Sequence, residues 1–309
     1  MINVRDLPLV SIIIPVYNGA NFLEEAIISA LKQDYENIEI LVINDGSNDA
    51  GLTTKILEKY QDKVQIYNKI NGGVASALNL GLSKMKGEFF SWLSHDDLYY
   101  ESKISDNYEA YVTQKNENVI IYSDYLVFSV ENPDGYLETM RRIEPSNFRH
   151  WLLTNSQLHG CTLFIPKQAF LDCGYFKEEL RTTQDYDLWF RMSKRYDFIH
   201  QSKCLVKFRI HPNQDSNKLS LIALEECNVF YERATLELSV EEVIRGSETD
   251  LKTGLEKMLT NFIHRGWKVA SENLSEKLGI PIVTDVSSRA SLKQLWRRAI
   301  GKLLNTFKI

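Results

Sequence analysis

Three apolar runs in the first hundred residues each stop at a polar, turn-forming cluster. Val10-Ser11-Ile12-Ile13-Ile14 stops at Pro15-Val16-Tyr17-Asn18-Gly19, Ile38 to Ile43 at Asn44-Asp45-Gly46-Ser47, and Phe89 to Leu93 at Ser94-His95-Asp96-Asp97. The runs alternate little, which fits strands buried on both faces of a parallel sheet. Pro15 lacks an amide proton and is expected to end the first strand's pairing. Between the first two runs, Phe22, Leu23, Ala26, Ile27, Ala30 and Leu31 recur at helical spacing, with Asn21 as the expected N-cap. Between the second and third lie a helix over about 51–60, a short strand over 64–67 and a helix over 74–85 that follows Asn71-Gly72-Gly73. In an open α/β sheet, ligands bind outside the carboxyl ends of the strands, so the three clusters should converge on one crevice.

Further on, the pattern predicts a helix over 101–114, then one long strand or a strand pair over 119–130, closed by the Asn132-Pro133-Asp134-Gly135 turn. A short helix over 150–155, a strand over 161–165 and a short helix over 168–172 follow. Thr183-Gln184-Asp185 opens an amphipathic helix with Tyr186, Trp189, Phe190 and Met192 on its apolar face. One or two strands over 198–210 end in Arg209-Ile210-His211-Pro212. From about residue 217 strand signals nearly vanish, and helical patterns fill 218–238, 249–271 and 288–308. The result is an α/β fold with a mixed sheet flanked by helices and an α-helical C-terminal extension.

The last helical pattern is basic. From Ser287 onward there is no acid, while Arg289, Lys293, Arg297, Arg298, Lys302 and Lys308 alternate with Leu292, Leu295, Trp296, Leu303 and Phe307. Such a helix can lie in the headgroup plane of an anionic membrane or pack on protein. The net charge of −5 argues against nucleic acid as a partner. Cys161, Cys173, Cys204 and Cys227 are widely spaced without a CxxC pair, which points to reduced thiols rather than zinc. No run of about 18 apolar residues and no secretory-signal pattern is present, so a cytoplasmic location is expected, at the inner face of the plasma membrane if the basic helix binds lipid.

Candidate chemistry lies at the strand ends. Asp45 before Gly46-Ser47 is a turn former or a ligand to a base. Adjacent Asp96 and Asp97 repel one another, a cost that helix capping or a hard divalent cation would relieve. Asp185 and Asp187 cannot share one helix face at a spacing of two. Asp185, at the helix start, is either an N-cap or a carboxylate that takes a proton from an incoming hydroxyl. His211 is structural, or a contact to a metal or diphosphate. Tyr17 could stack on a nucleobase. Neither a Walker lysine nor a GxGxxG element is present.

Taken in order, Val10 to Asn18, Val42 to Ser47, Asn71-Gly72-Gly73 with Asn79, Ser94-His95-Asp96-Asp97 and Gln184-Asp185-Tyr186-Asp187-Leu188-Trp189 resemble family 2 glycosyltransferases over about residues 8–216. The resemblance implies a GT-A fold with a Rossmann-like sheet. It also implies an inverting, metal-dependent enzyme that uses a nucleotide-sugar donor, UDP-linked by preference, with Mn²⁺ or Mg²⁺. The acceptor would be a glycan or lipid-linked hydroxyl in surface polysaccharide or glycolipid synthesis. By resemblance, Pro15 and Tyr17 line the nucleobase site, Asp45 bonds the base and Gly73 lies by the nucleotide. Asp96 sits near the ribose, Asp97 on the metal, and Asp185 is the general base with Asp187 as runner-up. His211 belongs to a loop that closes over the diphosphate. Many members carry Asp where this chain has Ser94. The implied organisation is a nucleotide-sugar-binding half over 1–105, an acceptor-binding half with the base over 106–216, and the helical extension over 217–309, with peripheral membrane contact through 288–309 and a homo-oligomer as open options. The competing readings are a nucleotidyltransferase and a non-catalytic sugar-nucleotide-binding module.

Overall fold

The computed structural model describes residues 7–155, 157–214 and 219–280. The expected helix over 288–308 lies outside the described residues.

The first sheet is built as the apolar runs dictate. Strands β1 (Val10–Val16), β2 (Ile38–Asn44), β3 (Gln65–Asn68) and β4 (Phe89–Trp92) run parallel in the order β3-β2-β1-β4. Every residue of β1 is buried. Truncating such a position, Ile12→Ala for example, costs about 2–5 kcal/mol in lost transfer energy and cavity formation. Helices α1 (Leu23–Leu31), α2 (Leu52–Tyr60) and α3 (Val74–Lys84) cross between the strands. A short strand β8 (Ile165–Pro166) adds antiparallel to β4, so a segment from the middle of the chain completes this sheet.

The second sheet has the order β5-β9-β6-β7, with β5 (Leu98–Tyr99), β6 (Val119–Phe128), β7 (Tyr136–Glu138) and β9 (Asp197–Arg209). β6 is one long strand, parallel to β9, with a register shift on either side of Asp124. Helices α4 (Lys103–Val112), α5 (Phe148–Thr154), α6 (Lys167–Cys173) and α7 (Gln184–Met192) surround the two sheets.

The C-terminal helices are α8 (Ser220–Leu236), α9 (Val240–Ser247), α10 (Leu251–His264) and α11 (Lys268–Leu278). They do not hang off the fold. Phe230 of α8 meets Phe190 of α7 edge to face, Arg149 of α5 pairs with Glu242 of α9 at 2.7 Å, and Arg233 of α8 reaches Asp187 of α7 at 2.6 Å. The one helix expected over 249–271 breaks at Gly266, whose φ of 87° suits glycine. The helix α9, missed in the pattern, carries a Ser239/Glu242 capping box.

Three local expectations are corrected. Pro15 does not end β1: it pairs with Ile43. Val16 O accepts from Asp45 N on the β2 side, while Ile13 O accepts from Leu93 N on the β4 side. By that alternation the missing Pro15 amide faces the β4 side, beyond the end of β4. Asn21 is not the cap of α1. The helix starts at Leu23 after Phe22, and Gly19 O takes the Phe22 and Leu23 amides. Phe22 is held there by its ring, 4.3 Å from the Arg209 guanidinium. The strand expected over 161–165 is a 3-10 turn at Gly160–Thr162 before β8, with Gly160 close against the Trp92 ring and Cys161 turned toward Asp97.

Candidate active site

Since β1, β2, β3 and β4 are parallel, their carboxyl ends share one edge, and the polar clusters meet there. Asn18 and Ser47–Asn48 lace the first two together: Asn18 N donates to Ser47 Oγ at 2.9 Å and Asn48 N to Asn18 Oδ1 at 2.8 Å. Tyr17 stands 44% exposed at this rim, while Pro15 beneath it is buried in the strand.

Asp45 is buried, and this chain's own donors occupy most of its carboxylate. One oxygen takes Lys69 Nζ at 2.6 Å and Gly72 N at 3.0 Å, and the other takes Gly73 N at 2.8 Å. With about four lone-pair sites per carboxylate, little acceptor capacity is left for a base. Asp45 therefore shapes the Asn71–Gly73 loop. Gly73 has φ of 88° and ψ of 169°, a conformation that L side chains rarely adopt. The space a Cβ would occupy there lies 3.4 Å from the Arg181 guanidinium, which reaches the loop from the segment before α7.

The two adjacent acids diverge. Asp96 Oδ2 lies 3.0 Å from His211 Nε2, so the end of β4 meets the residues after β9. Burial raises the Asp96 pKa, but the hydrogen bond from His211 and the charge of His95 outweigh it and hold the carboxyl below its usual range. The anionic Asp96 oxygen suits a hard divalent cation, while the imidazole beside it is a ligand more typical of transition metals and favours Mn²⁺ over Mg²⁺. Asp97, which the resemblance puts on the metal, points inward. Its oxygens take Arg209 N at 3.0 Å and the Cys161 thiol at 3.4 Å, with His159 Nε2 at 3.6 Å. Burial and the neighbouring Asp96 push its pKa well up, while burial drives His159 down to about 4 and Cys161 well up. Ligand atoms of Asp97, His159 and Cys161 lie within 4.8 Å of one another, close enough to share one metal ion. They form a polar junction between the two sheets. Arg209 braces it from β9: its Nε donates to Asp96 O, and its guanidinium lies 4.7 Å from the Phe128 ring centroid.

Asp185 and Asp187 separate as their spacing requires. Asp187 is 1% exposed and bound by Arg233 at 2.6 Å, Arg191 at 2.8 Å and Lys177 at 3.0 Å. Burial raises its pKa, but these bonds outweigh that and hold it low. With its oxygens committed to three cations, Asp187 is an internal clamp, not a proton acceptor. Asp185 is the opposite case. Oδ1 takes Tyr186 N at 2.8 Å, and among the described residues Oδ2 has no hydrogen-bond partner. Burial lifts its pKa to about 6. A half-buried carboxyl with one open oxygen and a pKa near neutrality is suited to accept a proton.

Contacts join this end of α7 to the strand ends. Tyr186 Oη donates to Leu158 O, and the next residue, His159, faces Asp97. On the other side Arg181 covers Gly73, and Asn79 of α3 exchanges hydrogen bonds with the Phe176 backbone. Sequence reasoning missed Lys69, Arg181 and Glu226. Lys69 lies two residues from the Asn71-Gly72-Gly73 break and was within reach of inspection. Arg181 and Glu226 act across distances in the chain that spacing does not reveal.

Residues 11–179 match the family described as Glycosyl transferase family 2. An uncharacterized glycosyltransferase of Rickettsia felis is 46% identical over 246 residues, which cover 77% of this chain and 40% of that protein. One from Rickettsia typhi is 43% identical over 240 residues, covering 77% of this chain and 74% of its own length. The chain thus spans about two-fifths of some of the curated relatives it matches. Among solved structures, S. aureus TarS 1-349 in complex with UDP-GlcNAc superposes with a TM-score of 0.59 at 19% identity, covering 96% of this chain and 81% of that one.

Proposed function

The chain belongs to glycosyltransferase family 2, and from that membership and its GT-A fold we propose that it is an inverting transferase. It moves a sugar from a nucleotide diphosphate sugar to a hydroxyl of a glycan or lipid-linked acceptor. The observation that carries this reading is Asp185: a carboxyl with one oxygen open, raised to about 6, on a segment that touches the nucleotide-side loop. Asp185 accepts the acceptor hydroxyl's proton as that oxygen attacks the anomeric carbon. The bond from the anomeric carbon to the diphosphate oxygen breaks on the opposite face, so an α-linked donor yields a β-linked product. Tyr17 offers its ring to the base, and Asp45 holds the Asn71–Gly73 backbone against the nucleotide. The donor is taken to be UDP-linked, in line with the UDP and UDP-GlcNAc described in TarS.

A divalent cation, Mn²⁺ or Mg²⁺, would be held by Asp96 and His211 and would supply charge neutralisation to the departing diphosphate. Residues 288–309 add a basic amphipathic sequence that favours an anionic membrane surface at the inner face of the plasma membrane and hence a lipid-linked acceptor. Among the described residues no helix is long and apolar enough to cross a membrane.

The test is nucleotide release from UDP-, GDP- and dTDP-linked sugars with Mn²⁺, for the wild type and Asp185→Asn. Release from at least one donor, lost in the variant, supports the reading. Donor binding without release from any of them would leave a binding module in its place.

A further inference from the structure

The segment that carries Asp185 is held from outside its own sheet and helix. Helix α7 has no side-chain N-cap of its own. Its place is taken by Glu226 of α8. One Glu226 oxygen accepts from Arg181 N at 2.7 Å. The other accepts from Thr182 N at 2.9 Å, Thr182 Oγ1 at 2.8 Å, Thr183 N at 3.0 Å and Thr183 Oγ1 at 3.1 Å. A helix start leaves amides unsatisfied, and an anion there is favourable. A cap delivered from another helix does more than satisfy amides, because it fixes where the start of α7 stands relative to α8. Two residues beyond the bound Thr183, the Asp185 carboxylate accepts from Tyr186 N. Two residues before it, Arg181 lies over Gly73.

We propose that Glu226 is a positioning residue for the transfer reaction. Through the Arg181–Thr183 backbone it sets the placement of Asp185, which makes the C-terminal helical region a working part of the active site. This rests on Asp185 being the base. Misplacing a reacting group by about 1 Å costs on the order of 100-fold in rate, and the proposal puts Glu226 in control of such a displacement. Glu226→Gln keeps the shape but replaces one acceptor oxygen by a donor NH₂, so the Arg181 amide and the Thr182–Thr183 donors cannot all be served.

The experiment uses the full chain with Mn²⁺ and UDP-GlcNAc, or whichever UDP-sugar releases UDP, and follows UDP release together with UDP binding by calorimetry. For Glu226→Gln the expected result is a kcat lower by roughly 10–100-fold, with UDP affinity and KM within about twofold. In the Asp185→Asn background the same change should cause no further loss of residual turnover, because Glu226 acts through Asp185. An unchanged kcat, or an equal loss in both backgrounds, overturns the proposal. If Glu226→Gln does not unfold cooperatively, Thr182→Val with Thr183→Val removes only the two hydroxyl donors. That pair should lower kcat several-fold at unchanged UDP affinity, and no change in kcat would also overturn it. Wild-type turnover by Asp185→Asn itself would be a failure of the base assignment, recognisable whatever Glu226 does.

Discussion

A carboxyl buried against its own solvation should weaken the fold, and Asp185 allows the cost to be worked out. Its pKa is raised from 3.8 to about 6 by burial. A raised carboxyl disfavours the charged form in the folded state, so stability falls as pH rises through the window from 3.8 to about 6 and stays lower above it. At 1.36 kcal/mol per pK unit the full cost is about 3 kcal/mol at pH 8 and about 1 kcal/mol at pH 4.5. Asp185→Asn keeps Oδ1 as acceptor for the Tyr186 amide and removes the charge. The variant should therefore be more stable than the wild type by about 3 kcal/mol at pH 8. With a urea m-value of about 3 kcal/mol/M for a chain of this size, its unfolding midpoint should rise by about 1 M at pH 8 and by about 0.3 M at pH 4.5. The assay is equilibrium urea unfolding followed by tryptophan fluorescence at both pH values. An unchanged or lower midpoint at pH 8 would show that Asp185 is not a desolvated carboxyl, and the argument for its proton affinity would fall with it.

Three other outcomes follow from the same geometry. Asp187→Ala strands Lys177, Arg191 and Arg233 and should cost about 2–4 kcal/mol at pH 7, less than for a fully buried set because the cations are partly exposed. Since the Asp187 pKa is depressed, that cost is present above its ordinary value of 3.8 and should fade as pH falls below it in urea titrations. His211→Ala should weaken the apparent Mn²⁺ affinity of nucleotide release by about tenfold while leaving metal-free UDP binding unchanged by calorimetry. Gly73→Ala forces a side chain into a glycine-only conformation and toward Arg181, at about 1–3 kcal/mol of strain. The measurable result is weaker UDP binding, and wild-type affinity would remove the loop from the donor site.

The strand ends were legible because buried parallel strands leave continuous apolar runs whose stopping points are written as Pro, Gly, Asn and Asp. The helix that begins near Asp185 was legible for a similar reason, through Tyr186, Trp189, Phe190 and Met192 at helical spacing. Side-chain direction was not. Asp96 and Asp97 are adjacent and chemically alike, and only the pairing of β5 with β9, which brings the Arg209 amide to Asp97, turns one inward and leaves the other beside His211. Asp185 and Asp187 were indistinguishable for the same reason until three cations from separate segments closed on Asp187. The docking of α8 depends on contacts between residues some 45 positions apart, such as Glu226 with Thr182 and Thr183. No local pattern encodes those.

The account stands on one proton acceptor, and the pH dependence of turnover tests it most directly. Nucleotide release from a UDP-sugar, measured as kcat/KM from pH 5 to 9 with saturating Mn²⁺, should rise with pH and level off above a single ionisation near 6. Asp185→Asn should lose about 100-fold or more of the plateau rate while binding UDP as tightly as the wild type. A variant that keeps the wild-type plateau and the same ionisation would contradict it.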